Sequence, residues 1–260
     1  MDIRLDGRAA IITGGSKGLG LAMAKRFSES GADVAILARR APVIEEAVAE
    51  IRKTAKGRIE GFVCDVAKSA DTQAAYDGVM KAFGKVDILV NNAGESRTGP
   101  FETITDEIWR DDIEQKLMGA IRMTRLVWPQ MKERRWGRII NVLSINAKFS
   151  RAAGAPTTVS RAAGLALTKV LSNEGAPHNV LVNALMVGSI VSDQIVRRQK
   201  ARKDGATLEQ MIADVGKEVP LGRMGRAEEF ANAACFLASD AASYIAGTAI
   251  PVDGGKAPFI

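Results

Sequence analysis

Thr13-Gly14-Gly15-Ser16-Lys17-Gly18-Leu19-Gly20 is the stretch on which the fold turns. Before it, Ala9 to Thr13 has the apolar character of a buried strand. After it, the residues through Phe27 carry the period of an amphipathic helix. In such a strand–turn–helix junction the glycines have separate uses. Gly14 permits a tight turn, Gly18 lets backbone approach a pyrophosphate, and Gly20 lets the helix pack closely on the sheet. The helix N-terminus then offers unsatisfied N–H groups and the positive end of a dipole to phosphate. A P-loop is a poorer match, because it needs Gly-Lys followed by Ser or Thr, whereas Lys17 lies between Ser16 and Gly18. Gly14 to Gly18 also fits G-x-S-x-G, the nucleophile elbow of hydrolases. Ser16 would then need His178, the only histidine, which falls in the turn-like Ala176-Pro177-His178-Asn179.

The same alternation continues outward. Strands are expected at Asp33 to Ala38, Ile59 to Cys64, Val86 to Asn91, Arg138 to Leu143, Val180 to Leu185 and Thr248 to Val252. Helices are expected at Pro42 to Arg52, up to about Phe83, at Thr105 to Arg134 and at Thr157 to Glu174. Strands this apolar must be covered on both faces. The fold class is therefore α/β, a doubly wound, Rossmann-like parallel sheet built by right-handed crossovers. No repeat or linker divides residues 1–260, which are read as one domain. The least regular stretch, 188–225, leaves a strand's carboxyl end, where open α/β sheets bind ligands, and is expected to act as a substrate lid.

Composition narrows the function. The chain has 260 residues, 25% charged and 47% hydrophobic, which is ordinary globular usage. No apolar run approaches the roughly 18 residues of a membrane span, and Met1-Asp2-Ile3-Arg4 lacks the apolar region of a signal peptide. Cys64 and Cys235 read as two buried thiols in a reducing compartment, giving a cytoplasmic expectation. One histidine and two distant cysteines leave no metal site to expect. The net charge of +6 is dispersed in short runs such as Arg134-Arg135, without interleaved aromatics, so solvated helix faces are favoured over a nucleic-acid surface. Arg39 and Arg40 end the second strand with no carboxylate. Arg39 can meet a 2′-phosphate with its planar fork, and Lys17 adds charge in the turn, so NADP(H) is expected rather than NAD.

Taken together, these residues resemble the short-chain dehydrogenase/reductase family over essentially the whole chain. Thr13 to Gly20 matches its TGxxxGxG turn, Cys64-Asp65-Val66 its third-strand end, Asn91-Asn92-Ala93-Gly94 its NNAG motif and Val252-Asp253-Gly254-Gly255 its usual C-terminal sequence. The resemblance implies that Gly14, Ser16, Lys17, Gly18, Leu19 and Gly20 bind the cofactor with Arg39, Asp65, Val66, Asn91, Ala93 and Gly94. Gly188 and Ile190, after the sixth strand, are expected to join them, with Ser192 in place of the family's Thr. In this family a Ser polarises the substrate oxygen, a Tyr passes the proton, a Lys holds the nicotinamide ribose, and an Asn completes a relay. Ser144 matches the Ser. At the Tyr position, thirteen residues on, stands Thr157; at the Lys position, four further, stands Arg161; and Lys116 stands in place of the Asn.

Arg161 keeps hydrogen bonds and a positive charge available to the ribose. Thr157 cannot act as the acid, since an aliphatic hydroxyl is far weaker than a phenol, and Tyr76 and Tyr244 lie in segments distant from the site. A lysine's pKa falls on burial or beside another cation. Lys116 is therefore the candidate proton donor, acting directly or through water and Ser144. The reading that follows is an NADP(H)-dependent oxidoreductase interconverting a small-molecule carbonyl and alcohol with a rewired proton relay. The alternatives are a dinucleotide-binding sensor or partner subunit without turnover, and a non-redox lyase or isomerase. Arg197, Arg198, Lys200, Arg202 and Lys203 would favour an anionic substrate, and the apolar long helices suggest a homodimer or homotetramer.

Overall fold

The structure is a computed structural model and describes residues 3–201 and 205–259. β1 (Ala9–Thr13), β2 (Asp33–Ala38), β3 (Ile59–Val63), β4 (Ile88–Asn91), β6 (Gly137–Ser144), β8 (Val180–Val187) and β9 (Ala249–Val252) form one sheet in the order β3-β2-β1-β4-β6-β8-β9. Every pair in it is parallel. β5 (Thr98–Gly99) and β7 (Ala155–Pro156) make a small antiparallel pair. Side chains alternate across each strand, so the apolar runs split between two cores. Ala10, Ile12, Val34, Ile36, Ile88 and Val90 face one side, covered by Met23 and Phe27 of α1 (Gly18–Glu29), Ile44 of α2 (Ala41–Arg52) and Phe230 of α9 (Ala227–Ala238). Ala9, Ile11, Ala35, Leu37 and Leu89 face the other, under Val79 of α3 (Ser69–Phe83) and Met123 and Val127 of α5 (Gly119–Glu133). Cys235 lies in the first core and Cys64 in the second, so the sheet separates the two buried thiols. No helix among the described residues is long and apolar enough to cross a membrane.

Two expectations are corrected. The helix expected from Thr105 to Arg134 is α4 (Asp106–Ile113), a π turn (Glu114–Met118) and then α5. Gly119 sets its position, because a Cβ there would come within 2.9 Å of Val66 Cγ2. The irregular stretch contains two helices, α7 (Asp193–Ala201) and α8 (Leu208–Lys217). α8 is started by a capping box in which Thr207 accepts from the N–H of Gln210 and Gln210 accepts from the N–H of Thr207. α6 (Thr157–Gly175) lies over β6 and β8, with Gly164 against Leu143. Strand order reverses between β1 and β4, and the crevice at their carboxyl ends is where such sheets bind ligands.

Candidate active site

One cavity of about 490 Å³ opens over that crevice, within the range of small-molecule sites. At one end is the Gly-rich turn. Gly14 and Gly18 adopt φ of 65° and 53°, which L side chains tolerate poorly. A Cβ on Gly20 would fall 2.1 Å from Gly14 O, so the first turn of α1 can pack against the Gly-rich turn only with glycine at this position. Thr13 Oγ1 accepts the N–H groups of Asn92 (2.9 Å) and Ala93 (3.0 Å), and Asn92 Nδ2 donates to Thr13 O (2.9 Å), tying β1 to β4 beneath the turn. α1 begins without a side-chain cap and without an acid in its first turn, leaving its N-terminal N–H groups to a ligand. Ser16, Lys17, Leu19, Arg39, Arg40, Asp65 and Val66 share this end of the cavity. Arg39 and Arg40 follow β2 with no acidic residue at the strand's end, although Glu95 reaches Arg39 at 3.7 Å from across the cavity, and with the N–H donors facing the same space they suit the phosphates of a dinucleotide. Ala93, Gly94, Gly188 and Ile190 line its middle.

At the far end stand Ser144, Thr157 and Arg161. Ser144 ends β6 and its Oγ accepts the N–H of Asn146 at 3.2 Å, so its own proton can go to a ligand. Arg161, on the first turns of α6, is anchored by donating from Nη1 to Val142 O at 2.7 Å. Burial pulls its pKa down to about 10, against the attraction of Asp112. A Cβ on Gly94 would lie 2.9 Å from Arg161 Nη2 and 3.0 Å from Lys116 Cγ, so the glycine is where backbone passes both cations. Tyr76 receives a hydrogen bond from Gln130 in the α3–α5 layer, and Tyr244 is fully exposed; neither lines the cavity.

Two predicted site residues lie elsewhere. Lys116 and Asn91 do not line the main cavity but a small one of about 10 Å³ behind it. Asn91 is held in the sheet, its Nδ2 donating to Asn141 Oδ1 at 2.9 Å. Lys116, centred in the π turn and 6% exposed, donates to Asp112 Oδ1 and, at 2.7 Å, to Thr157 Oγ1. Direct contact between Lys116 and a substrate in the main cavity is thereby corrected, because Thr157 stands between them. Burial lowers the Lys116 pKa to about 8, opposed by the bond to Asp112 and reinforced by Arg161 and Arg97. Thr157 Oγ1 also accepts the N–H of Arg97 at 2.9 Å and donates its own proton to Arg97 O at 2.7 Å.

The hydrolase alternative fails on topology. Ser16 follows β1 and His178 precedes β8 in a parallel sheet, so they lie at opposite ends of the strands, a strand length of roughly 15 Å or more apart. The basic segment is also rearranged. Arg197 pairs with Glu95 at 3.0 Å and Asp193 at 3.5 Å, and Lys200 is exposed. Arg202 and Lys203 lie outside the described residues, as do Met1, Asp2 and the side chain of Arg198. Sequence reasoning missed Asp112, Glu95 and Arg151. Arg151 lines the cavity, and among the described residues no carboxylate pairs with it.

A family model described as enoyl-(acyl carrier protein) reductase matches residues 14–257. Acetoacetyl-CoA reductase of Rhizobium meliloti is 35% identical over 252 residues, covering 96% of this chain and 98% of that one. Among solved structures, L-sorbose reductase of Gluconobacter frateurii, complexed with NADPH and L-sorbose, superposes with a TM-score of 0.95 at 32% identity over 100% of both chains. An NADPH-bound short chain oxidoreductase of Pseudomonas aeruginosa PAO1, which contains an atypical catalytic center, gives 0.92 at 34% identity over 99% of each.

Proposed function

The chain belongs to the short-chain dehydrogenase/reductase family of oxidoreductases, and from that premise we propose that it is an NADP(H)-dependent enzyme interconverting a carbonyl and an alcohol without a tyrosine. The observation that carries this is one continuous cavity joining the phosphate-suited turn and Arg39 to Ser144, Thr157 and Arg161. Similar structures bind NADPH, in keeping with arginines and no acid at the end of β2. When bound, NADPH supplies a hydride to the carbonyl carbon. Ser144 donates a hydrogen bond to the substrate oxygen, and Arg161 holds the cofactor ribose and adds positive charge. The Thr157 hydroxyl, turning from Arg97 O to the substrate oxygen, gives up its proton as Lys116 Nζ–H replaces it, so two O–H bonds form while one O–H and one N–H bond break, leaving a neutral amine. Thr157 is thus a conduit, and Lys116 the acid behind it.

α7 and α8, which bring Ile195, Met211 and Val215 to the cavity, serve as its lid. Arg151, which lines the same cavity, favours a carbonyl compound bearing a carboxylate, a role the segment 197–203 was expected to fill. Exposed Val159 and Val170 on α6 favour a homodimer or homotetramer, and two buried thiols suit a reducing, cytoplasmic setting. The test is fluorescence titration with NADPH and NADH, followed by NADPH consumption over a panel of keto acids and their methyl esters. NADPH should bind at least about tenfold tighter, with Arg39→Ala removing most of the difference, since a charge-assisted contact contributes roughly 1.5–3 kcal/mol. NADPH binding without turnover would establish the sensor reading instead, and turnover without a change in cofactor absorbance the non-redox one.

A further inference from the structure

We propose that Asp112 is a positioning residue: its carboxylate holds the Lys116 ammonium against the Thr157 hydroxyl, and the proton path depends on it although Asp112 touches neither substrate nor cofactor. The inference rests on the proton path proposed above. Asp112 is 1% exposed and lines neither cavity. A buried carboxylate is tolerated only when its oxygens are occupied, and these are. Oδ1 accepts from Lys116 and lies 3.2 Å from Thr157 Oγ1, while Oδ2 accepts from Ser160 Oγ at 2.6 Å. Three elements meet on it: α4, the π turn that aims Lys116 back at the residue four positions earlier, and the start of α6 with Thr157 and Ser160.

The charges around Lys116 give Asp112 a part that packing alone would not require. Arg161 from α6 and Arg97 from the loop after β4 both repel the ammonium, burial disfavours it, and Asp112 is the carboxylate that opposes them. Without Asp112 the lysine would release its proton at a lower pH and lose the bond that directs it to Thr157. A purely structural ion pair would instead affect folding and leave the pH dependence of the reaction where it was.

Asp112→Asn keeps the shape and removes the charge. The alkaline limb of kcat for carbonyl reduction should move acidward by about two pH units, costing about 50-fold at pH 8 but only about twofold at pH 6, with NADPH affinity unchanged. Asp112→Glu should return the limb towards its original place. Should Asp112→Asn not fold, Ser160→Ala frees Oδ2 while keeping the charge, and a smaller acidward move is expected. An unmoved limb in the folded variant overturns the inference. A second readout needs no turnover: the Lys116 Nζ resonance, in protein with nitrogen-labelled lysine and assigned through Lys116→Arg, should titrate at lower pH in Asp112→Asn. If the wild type consumes no NADPH with any carbonyl, the proposed function fails, yet this titration still decides the role of Asp112. An equal midpoint in both proteins refutes it, and a lowered one upholds it.

Discussion

Lys116 is buried with one carboxylate and two guanidinium groups in reach, and its pKa near 8 fixes a direction for the pH dependence. Reduction consumes its proton, so the rate should be high below about pH 8 and fall as pH rises through it; a reductive rate that climbs across that range would contradict the assignment. Because the folded pKa is below the ordinary lysine value of 10.5, the unfolded chain binds more protons between the two. This group therefore makes the fold gain stability as pH rises from about 8 towards 10.5. Removing Lys116 alone is a poor probe of catalysis, since it strands Asp112. Lys116→Met should lose about 3–5 kcal/mol in urea denaturation, whereas Lys116→Met with Asp112→Leu should be near wild type in stability and inactive. The resemblance to the family's motifs pointed to Ser144, Thr157 and Arg161, which share one end of the cavity, and to Lys116 behind them. Asp112 was not legible: with Asp106, Glu107 and Asp111 it reads as one solvated acidic face, and only the packing of α6 shows that this one member points inward.

Among the elements, the strands of the seven-stranded sheet were legible to within a residue or two, because apolar runs bounded by turns admit little choice, whereas the two-residue β5 and β7 were not expected. The π turn was not, since a continuous helical period conceals where an extra residue is accommodated, and such turns recur at functional sites. α8 could have been found from its Thr207-to-Gln210 capping box, but the polar composition around it read as loop. A consequence of the α7 placement concerns Glu95, which reaches Arg197 of α7 at 3.0 Å and Arg39 at 3.7 Å, spanning the cavity between lid and cofactor end. These groups are around half exposed, so each pair contributes at most about 1 kcal/mol, and Glu95→Gln should scarcely change Tm. It should, however, release Arg39 and remove a negative charge facing the phosphates. NADPH Kd should fall by roughly two- to fivefold, an effect that salt diminishes. A weakened NADPH affinity in Glu95→Gln, measured by fluorescence at low salt, would show that the glutamate orders the arginine rather than competing for it.

At the scale of the whole molecule, the alternating pattern sufficed for a parallel sheet covered on both faces, whereas how copies meet depends on surfaces that no motif marks. Val159 and Val170 are 51% and 53% exposed on α6. Eleven residues apart, they fall on one stripe three turns along the helix. Phe101 is 74% exposed, and covering such side chains contributes roughly 1–2 kcal/mol each. An isologous contact would double every such contribution, because the same patch serves both subunits. Light scattering at micromolar concentration should therefore report a dimer or tetramer. Val159→Asp with Val170→Asp should lower the mass towards the 27.7 kDa monomer, because charge is poorly tolerated at the centre of an apolar interface. The catalytic wall begins two residues before Val159, at Thr157, on the inner side of the same helix. Loss of assembly should accordingly lower kcat more than it weakens NADPH binding, whose residues lie at the opposite end of the cavity. A wild-type protein that is monomeric at those concentrations would exclude α6 as an interface.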